Sequence, residues 1–221
     1  MSATQPGLSL VILRNVPLFS GLDDHELEKL AKLAGRKRVE RAATVVRAGD
    51  ATDSLYVLIS GRAKVTNTDE EGREIILAWL GPGEFFGEMG LIDGSPRSAN
   101  VVAAETCELL FLDKSSLQQC MQENFQVAMK LMKILVLRLR EADRKIESLA
   151  LLDVYGRVAR LLLDMSELVE GNRVVKKKMS KQDMAKMIGA SREMVSKVMR
   201  DLELSGYIRI ENDLVVIPGA A

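Results

Sequence analysis

The chain has 221 residues, 47% hydrophobic, 28% charged and 4% aromatic; these proportions exclude a disordered or fibrous chain and suit one domain or two small ones with an aliphatic and methionine core. Its 31 basic and 31 acidic residues balance, and its single histidine, His25, excludes a Ser-His-Asp relay, a two-histidine zinc site and a bis-histidine haem. Cys107 and Cys120 cannot build a disulfide framework or a four-cysteine cluster; no apolar run nears the ~18 residues of a membrane span, and no basic residue precedes the first apolar stretch, so a protein of the reducing cytosol with no membrane partner is expected.

In chain order, residues from Val11 to about Ala34 read as largely helical with a break near Pro17. Asp23 or Asp24 can cap a helix carrying Leu27, Leu30, Ala31 and Ala34, and Gly35 can end it. His25 sits in this acidic helix start and reads as a surface residue. Between about Val39 and Leu112 the pattern becomes short β-rich runs: Thr44–Val46, Leu55–Ile59, Ala63–Val65, Ile75–Trp79, Ala99–Val102 and Cys107–Phe111. Turn residues separate them, at Gly49-Asp50, Ser60-Gly61, Asp69 to Gly72, Gly81 to Gly83 and Asp93 to Pro96. Many short strands with frequent turns predict an antiparallel barrel or roll.

Helix returns near Lys114, and no Gly or Pro occurs from Phe125 to Leu149. Ala128, Met132, Leu135, Leu139, Ala142, Ile146 and Leu149 are spaced 4, 3, 4, 3, 4, 3. That is the heptad seam of a two-stranded coiled coil, with Arg138 and Asp143 in the g-to-e′ relation of a parallel dimer. A long helix packing its stripe on its own barrel is the alternative. Asp153 can cap a further helix holding Val158, Leu161, Leu162, Met165 and Leu168, which makes Leu149 to Asp153 a candidate hinge. Glu170-Gly171-Asn172 breaks that helix.

The balanced charge conceals an asymmetry. Between Arg173 and Arg209 lie 10 basic and 4 acidic residues, a window of +6 on a body of −6. Such a basic end suits a polyanionic partner. Ser180 resembles a capping residue for a helix with Met184, Ala185, Met187 and Ile188, and Gly189-Ala190 makes a tight turn. Ser191 caps the next helix, which is expected to bury Met194, Val195, Val198 and Leu202, with Gly206 at its end. This is a helix-turn-helix. Ile208 to Ile217 reads as a hairpin wing. The second helix exposes Arg192, Glu193, Ser196 and Lys197 at the end that enters a major groove, where Arg can pair with guanine and Glu with cytosine. Lys176, Lys177, Lys178, Ser180 and Lys181 would lie near phosphates. A winged-helix protein-interaction module is the alternative.

The barrel carries one further motif. Gly87-Glu88-Met89-Gly90-Leu91 followed by Pro96-Arg97-Ser98-Ala99 fits neither a Walker A loop nor a dinucleotide fingerprint. It does hold the parts for one ribose phosphate: Gly87 for close backbone approach, Glu88 for a ribose hydroxyl, and Arg97 and Ser98 for the phosphate. An ordinary surface ion pair between Glu88 and Arg97 is the alternative.

Taken together, residues 11 to 217 resemble the cyclic AMP receptor protein (CRP/FNR) family of bacterial transcription regulators. The resemblance rests on Phe86 to Leu91 with Arg97-Ser98-Ala99, on Leu149 to Arg157 at the hinge, and on Gly189 to Lys197 in the reading helix. It implies an α+β fold: a cyclic-nucleotide-binding antiparallel β-roll over residues 1–123, a dimerisation helix and hinge over 124–152, and a winged helix-turn-helix over 153–221. It implies a homodimer on a palindromic operator, RNA polymerase as a partner, no enzymatic activity, and a cyclic nucleotide effector bound through Gly87, Glu88, Met89, Arg97, Ser98 and Arg138. DNA contacts fall to Lys177, Ser180, Ser191, Arg192, Glu193, Ser196 and Lys197, where Lys197 replaces the family's usual arginine.

Two departures qualify the ligand. The cysteine cluster of the iron–sulfur branch is absent. Where cyclic AMP binders of the family usually place threonine, then serine or asparagine, this chain has Ala142 and Asp143. A carboxylate can accept from guanine N1–H and N2–H, and Arg140 or Arg144 can reach O6 and N7, so cyclic di-GMP stands as the alternative to cyclic AMP. A hydrolytic enzyme and a ligand-independent DNA-binding dimer are the remaining readings.

Overall fold

The computed structural model describes residues 6–176, 179–212 and 214–218. The chain divides into two compact units, Met1–Arg138 and Leu139–Ala221, with the boundary inside one long helix.

The first unit opens with α1 (Pro6–Arg14), a single 3-10 turn at Pro17–Phe19 and α2 (Asp24–Leu33). Asp23 and Glu26 form a reciprocal capping box that starts α2. Gly35 does not end that helix, contrary to the sequence expectation. Ala34 leaves it in an extended conformation, and Gly35 opens β1 (Gly35–Val39). A Cβ at Gly35 would collide with the Phe111 ring on the facing strand.

Seven more strands follow: β2 (Thr44–Val46), β3 (Ser54–Ser60), β4 (Ala63–Thr68), β5 (Glu74–Leu80), β6 (Phe85–Phe86), β7 (Asn100–Ala103) and β8 (Cys107–Asp113). They pair antiparallel in two sheets, ordered β1-β8-β3-β6 and β2-β7-β4-β5. Period-2 alternation gives the first sheet two buried faces. Leu55, Val57, Leu110 and Leu112 join the cluster built with the helices, whereas Leu58, Cys107 and Leu109 join Val45, Leu80, Phe86 and Val101. Neither β1 nor β6 was expected. Gly-Arg-Lys-Arg-Val is too charged to read as a strand, yet it forms an edge, where charge discourages pairing with another chain.

Helices α3 (Met89–Asp93), α4 (Lys114–Glu123) and α5 (Phe125–Leu151) complete the roll. Asp113 caps α4 by accepting from the Ser116 amide at 2.7 Å. On α5, Val127 and Leu131 are buried, and Ile134 and Leu135 pack on the same helix-and-sheet cluster. Met132, Leu139 and Ile146 are 48%, 61% and 64% exposed. The expected seam therefore divides: Leu135 serves its own roll, and the residues at seven-residue spacing stay uncovered.

In the second unit Asp153 caps α6 (Val154–Met165) through the Gly156 amide at 2.8 Å. Next come β9 (Glu167–Val169), β10 (Asn172–Val175), α7 (Lys181–Ile188), α8 (Arg192–Leu204), β11 (Arg209–Glu211) and β12 (Leu214–Ile217), with the strands ordered β11-β12-β10-β9. The hairpin β9–β10 corrects the expectation that Leu168 continues α6: it lies on β9, 73% exposed. Met194 is a second correction. Because α8 begins at Arg192, its buried stripe is Val195, Val198, Met199 and Leu202, and Met194 is 44% exposed. Val158, Leu162, Met184, Ala185 and Ile188 complete this core.

Candidate nucleotide pocket and DNA-reading face

Strand β6 pairs with β3 and delivers the chain to Gly87, whose φ of 88° lies in the left-handed region. A Cβ there would collide with the Arg97 guanidinium, so this position excludes a side chain on two counts. Glu88 and Arg97 follow as deeply buried charges, 2% and 7% exposed. They do not pair with each other, which sets aside the plain ion-pair alternative. Glu88 Oε1 accepts from Arg138 Nη1 at 2.5 Å, and Arg138 Nη2 donates to the Phe85 carbonyl at 2.6 Å. The Arg138 guanidinium also lies 4.8 Å over the Phe85 ring. Arg138, placed among the nucleotide-site residues by the sequence, thus makes both of these contacts within its own chain.

Arg97 is held at both levels of its structure. Its backbone amide donates to the Asp50 carbonyl and its carbonyl accepts from the Gly49 amide, both at 2.8 Å. Its side chain donates to the carbonyls of Gly87 at 3.0 Å and Ser54 at 2.9 Å, and to Asp53 Oδ1 at 3.2 Å. A guanidinium has five N–H groups, so these contacts leave donors for an anion. The Asp53 side chain is 80% exposed and also accepts from the Ser54 hydroxyl at 2.6 Å. Sequence reasoning missed Asp53 because 44 positions separate it from Arg97.

Ser98 and Met89 are exposed and meet each other, with the Ser98 hydroxyl donating to the thioether at 3.7 Å. Gly87, Glu88, Arg97 and Arg138 thus converge on one patch of the roll, and Met89 and Ser98 adjoin it through α3 and the strand approach. Ala142 and Asp143 fall in the other unit, both exposed on α5. The two cysteines are buried; burial raises the thiol of Cys107 and pushes that of Cys120 up to about 11, so neither is a reactive thiolate at neutral pH.

In the second unit, Ser180 caps α7 through the Asp183 amide at 3.0 Å and Ser191 caps α8 through the Met194 amide at 3.1 Å. Arg192, Glu193, Ser196 and Lys197 line one shallow depression of about 350 Å³, and Arg200 lines it too. Sequence reasoning missed Arg200, although its spacing four residues after Ser196 places it on that face. The Ser196 hydroxyl donates to the Arg192 carbonyl at 2.8 Å, so its proton is used within the helix. The backbone amide of Glu193 and the Ser191 hydroxyl hold the Glu193 carboxyl below its usual range, keeping it an acceptor. Lys176 pairs with Glu167 at 2.8 Å. Lys177 and Lys178 lie outside the described residues. Among the described residues no helix is long and apolar enough to cross a membrane.

Comparison with known proteins gives the same two parts. Residues 36–124 match the cyclic nucleotide-binding domain, and residues 156–219 match the Crp-like helix-turn-helix domain. The cAMP-activated global transcriptional regulator CRP of Haemophilus influenzae is 36% identical over 80% of this chain and 81% of its own. The cAMP-activated regulator Vfr of Pseudomonas aeruginosa is 34% identical over 87% of this chain and 94% of its own. The structure of the c-di-GMP-responsive global regulator CLP of Xanthomonas campestris superposes with a TM-score of 0.75 at 30% identity, covering 90% of this chain and all of that one. With both domain types present in order, and full-length relatives at this identity, the chain belongs to the CRP/FNR family of transcription regulators.

Proposed function

We propose that the protein is a homodimeric DNA-binding regulator of the cytoplasm, without enzymatic activity, whose hold on a palindromic operator is controlled by a cyclic nucleotide. The observation that carries this reading is the pair of buried, separately anchored charges, Glu88 and Arg97, around the left-handed Gly87. Burying unpaired charge is costly, and both are held by partners that leave capacity unused. Arg138 takes one Glu88 oxygen and the other serves a ribose hydroxyl, while the remaining Arg97 donors and the Ser98 hydroxyl serve a phosphate. In this reading residues 1–123 bind the nucleotide, 124–152 dimerise and hinge, and 153–221 bind DNA. The uncovered Met132, Leu139 and Ile146 form the dimer seam. Arg192, Glu193 and Lys197 read bases, Ser191 and Lys177 contact the DNA backbone, Ser180 and Ser196 join them by turning their hydroxyls from the Asp183 carboxylate and the Arg192 carbonyl, and RNA polymerase is the onward partner.

Cyclic AMP is the first reading of the effector, in line with the named activity of the Haemophilus and Pseudomonas relatives. Cyclic di-GMP is the second, favoured by Asp143, an unshielded acceptor on α5, and by the named responsiveness of the Xanthomonas relative. Calorimetry of the purified chain with cyclic AMP, cyclic GMP and cyclic di-GMP tests the reading. Binding of one of them, lost in Arg97→Ala, is expected. Binding of none leaves a ligand-independent DNA-binding dimer as the better account.

A further inference from the structure

Helix α7 ends at Ile188, and Gly189 follows as its left-handed cap with φ 62° and ψ 48°. The last carbonyls of a helix have no donor within it. Here Arg157, from the second turn of α6, supplies one: its Nη1 donates to the Ile188 carbonyl at 2.7 Å. The same cation complements the negative end of the α7 dipole. Ala190 then donates to the Ala185 carbonyl at 3.0 Å, and Ser191, three residues beyond the clamped carbonyl, caps α8. A Cβ on Gly189 would stand 3.8 Å from Arg157 Nη1 and 3.7 Å from Leu149 Cδ2, so the turn is seated on both side chains.

The Arg157 Nε is buried and makes no hydrogen bond. An unsatisfied buried N–H costs free energy, a cost that a methionine or leucine in the same space would avoid. Core packing therefore does not account for an arginine here. What the arginine adds over an apolar side chain is the clamp on Ile188.

We propose that Arg157 is a positioning residue for base reading. By clamping the carbonyl end of α7 it fixes the turn from which Arg192 and Glu193 project, while itself touching no DNA. A bidentate contact to a base edge tolerates little angular error, whereas a lysine meets a phosphate as a point charge on a flexible stem and tolerates more. Loosening this turn should therefore cost sequence discrimination far more than general affinity. The proposal rests on the reading of α8 as the DNA-facing helix.

The test uses the full chain, a duplex that this chain enriches from a randomised pool, and a random duplex of equal length. Arg157→Met keeps the apolar stem and removes the donor. It is expected to bind the enriched duplex about tenfold more weakly and the random duplex within about twofold of the original. Arg157→Lys, which restores a donor to Ile188, should recover most of the loss. Hydrogen exchange of the amides from 190 to 193 should quicken in the methionine variant while the α6 interior stays protected. If Arg157→Met does not fold, Arg157→Lys carries the test, with a smaller loss confined to the enriched duplex. Equal losses on both duplexes, or no loss on either, overturn the positioning role while leaving α8 as reader. If the original chain enriches no sequence, the reading of α8 falls and the proposal falls with it.

Discussion

Arg97 bears two duties that a single substitution separates. Its guanidinium braces the Gly87 and Ser54 carbonyls, and in the proposed function its spare donors serve the phosphate. Arg97→Ala should abolish nucleotide binding and also leave buried carbonyls unsatisfied, lowering stability by ~1–3 kcal/mol, read by calorimetry and by denaturant titration. Arg97→Lys should recover part of the stability but little of the binding, since an ammonium cannot span these acceptors and a phosphate together. The identity of the effector turns on Asp143. If that carboxylate accepts from a guanine, Asp143→Ala should cost ~1–3 kcal/mol of cyclic di-GMP affinity; under the cyclic AMP reading it should leave affinity nearly unchanged. Glu88, Arg97 and Ser98 were legible in the sequence because a short chain segment delivers all of them. Asp53 and the commitment of Arg138 to Glu88 were not, because strand pairing and helix docking create those neighbours from distant parts of the chain.

At the level of elements, caps and alternation carried most of the legibility. Asp23, Asp153, Ser180 and Ser191 each cap the helix they precede, and their side chains announce those starts locally. The failures have equally local causes. Strand β1 is hidden by its charges, β6 by its length of two residues, and Leu168 by apolar spacing that continues past the end of α6. Asp113 was not identified as a cap, yet the Ser116 amide and the Ser115 hydroxyl hold its carboxyl below the usual range. Because its folded pKa is the lower one, its contribution is present above ~pH 4 and lost as pH falls through the folded value. Asp113→Ala should cost ~1 kcal/mol at neutral pH, and the gap between the two proteins should close below ~pH 4 in acid unfolding curves. In α8 the readers and the backbone contacts should part company. Arg192→Ala is expected to cost ~1–3 kcal/mol on the enriched duplex and much less on random DNA. Arg200→Ala should weaken both about equally and reduce the salt slope by about 1.

Across the whole molecule, the 4-3 spacing on α5 was plain in the sequence, but the spacing alone could not say which residues the roll already covers. Leu135 packs into the chain's own core, so a charge there would damage the fold as well as any dimer. Leu139→Asp combined with Ile146→Asp is the cleaner change, since both residues are uncovered. Sedimentation should then show a folded monomer, and tight binding to the enriched duplex should be lost with it; a folded dimer in that experiment would remove these residues from the seam. In the proposed function a nucleotide seated on Glu88 and Arg97 governs what the reading helix does. Fluorescence anisotropy of the labelled enriched duplex, titrated with the full chain at increasing cyclic AMP and in parallel cyclic di-GMP, reads this control. One nucleotide should shift duplex affinity about tenfold or more, and the shift should vanish in Arg97→Ala; duplex affinity that ignores both nucleotides, or a shift that survives Arg97→Ala, overturns nucleotide control through this site.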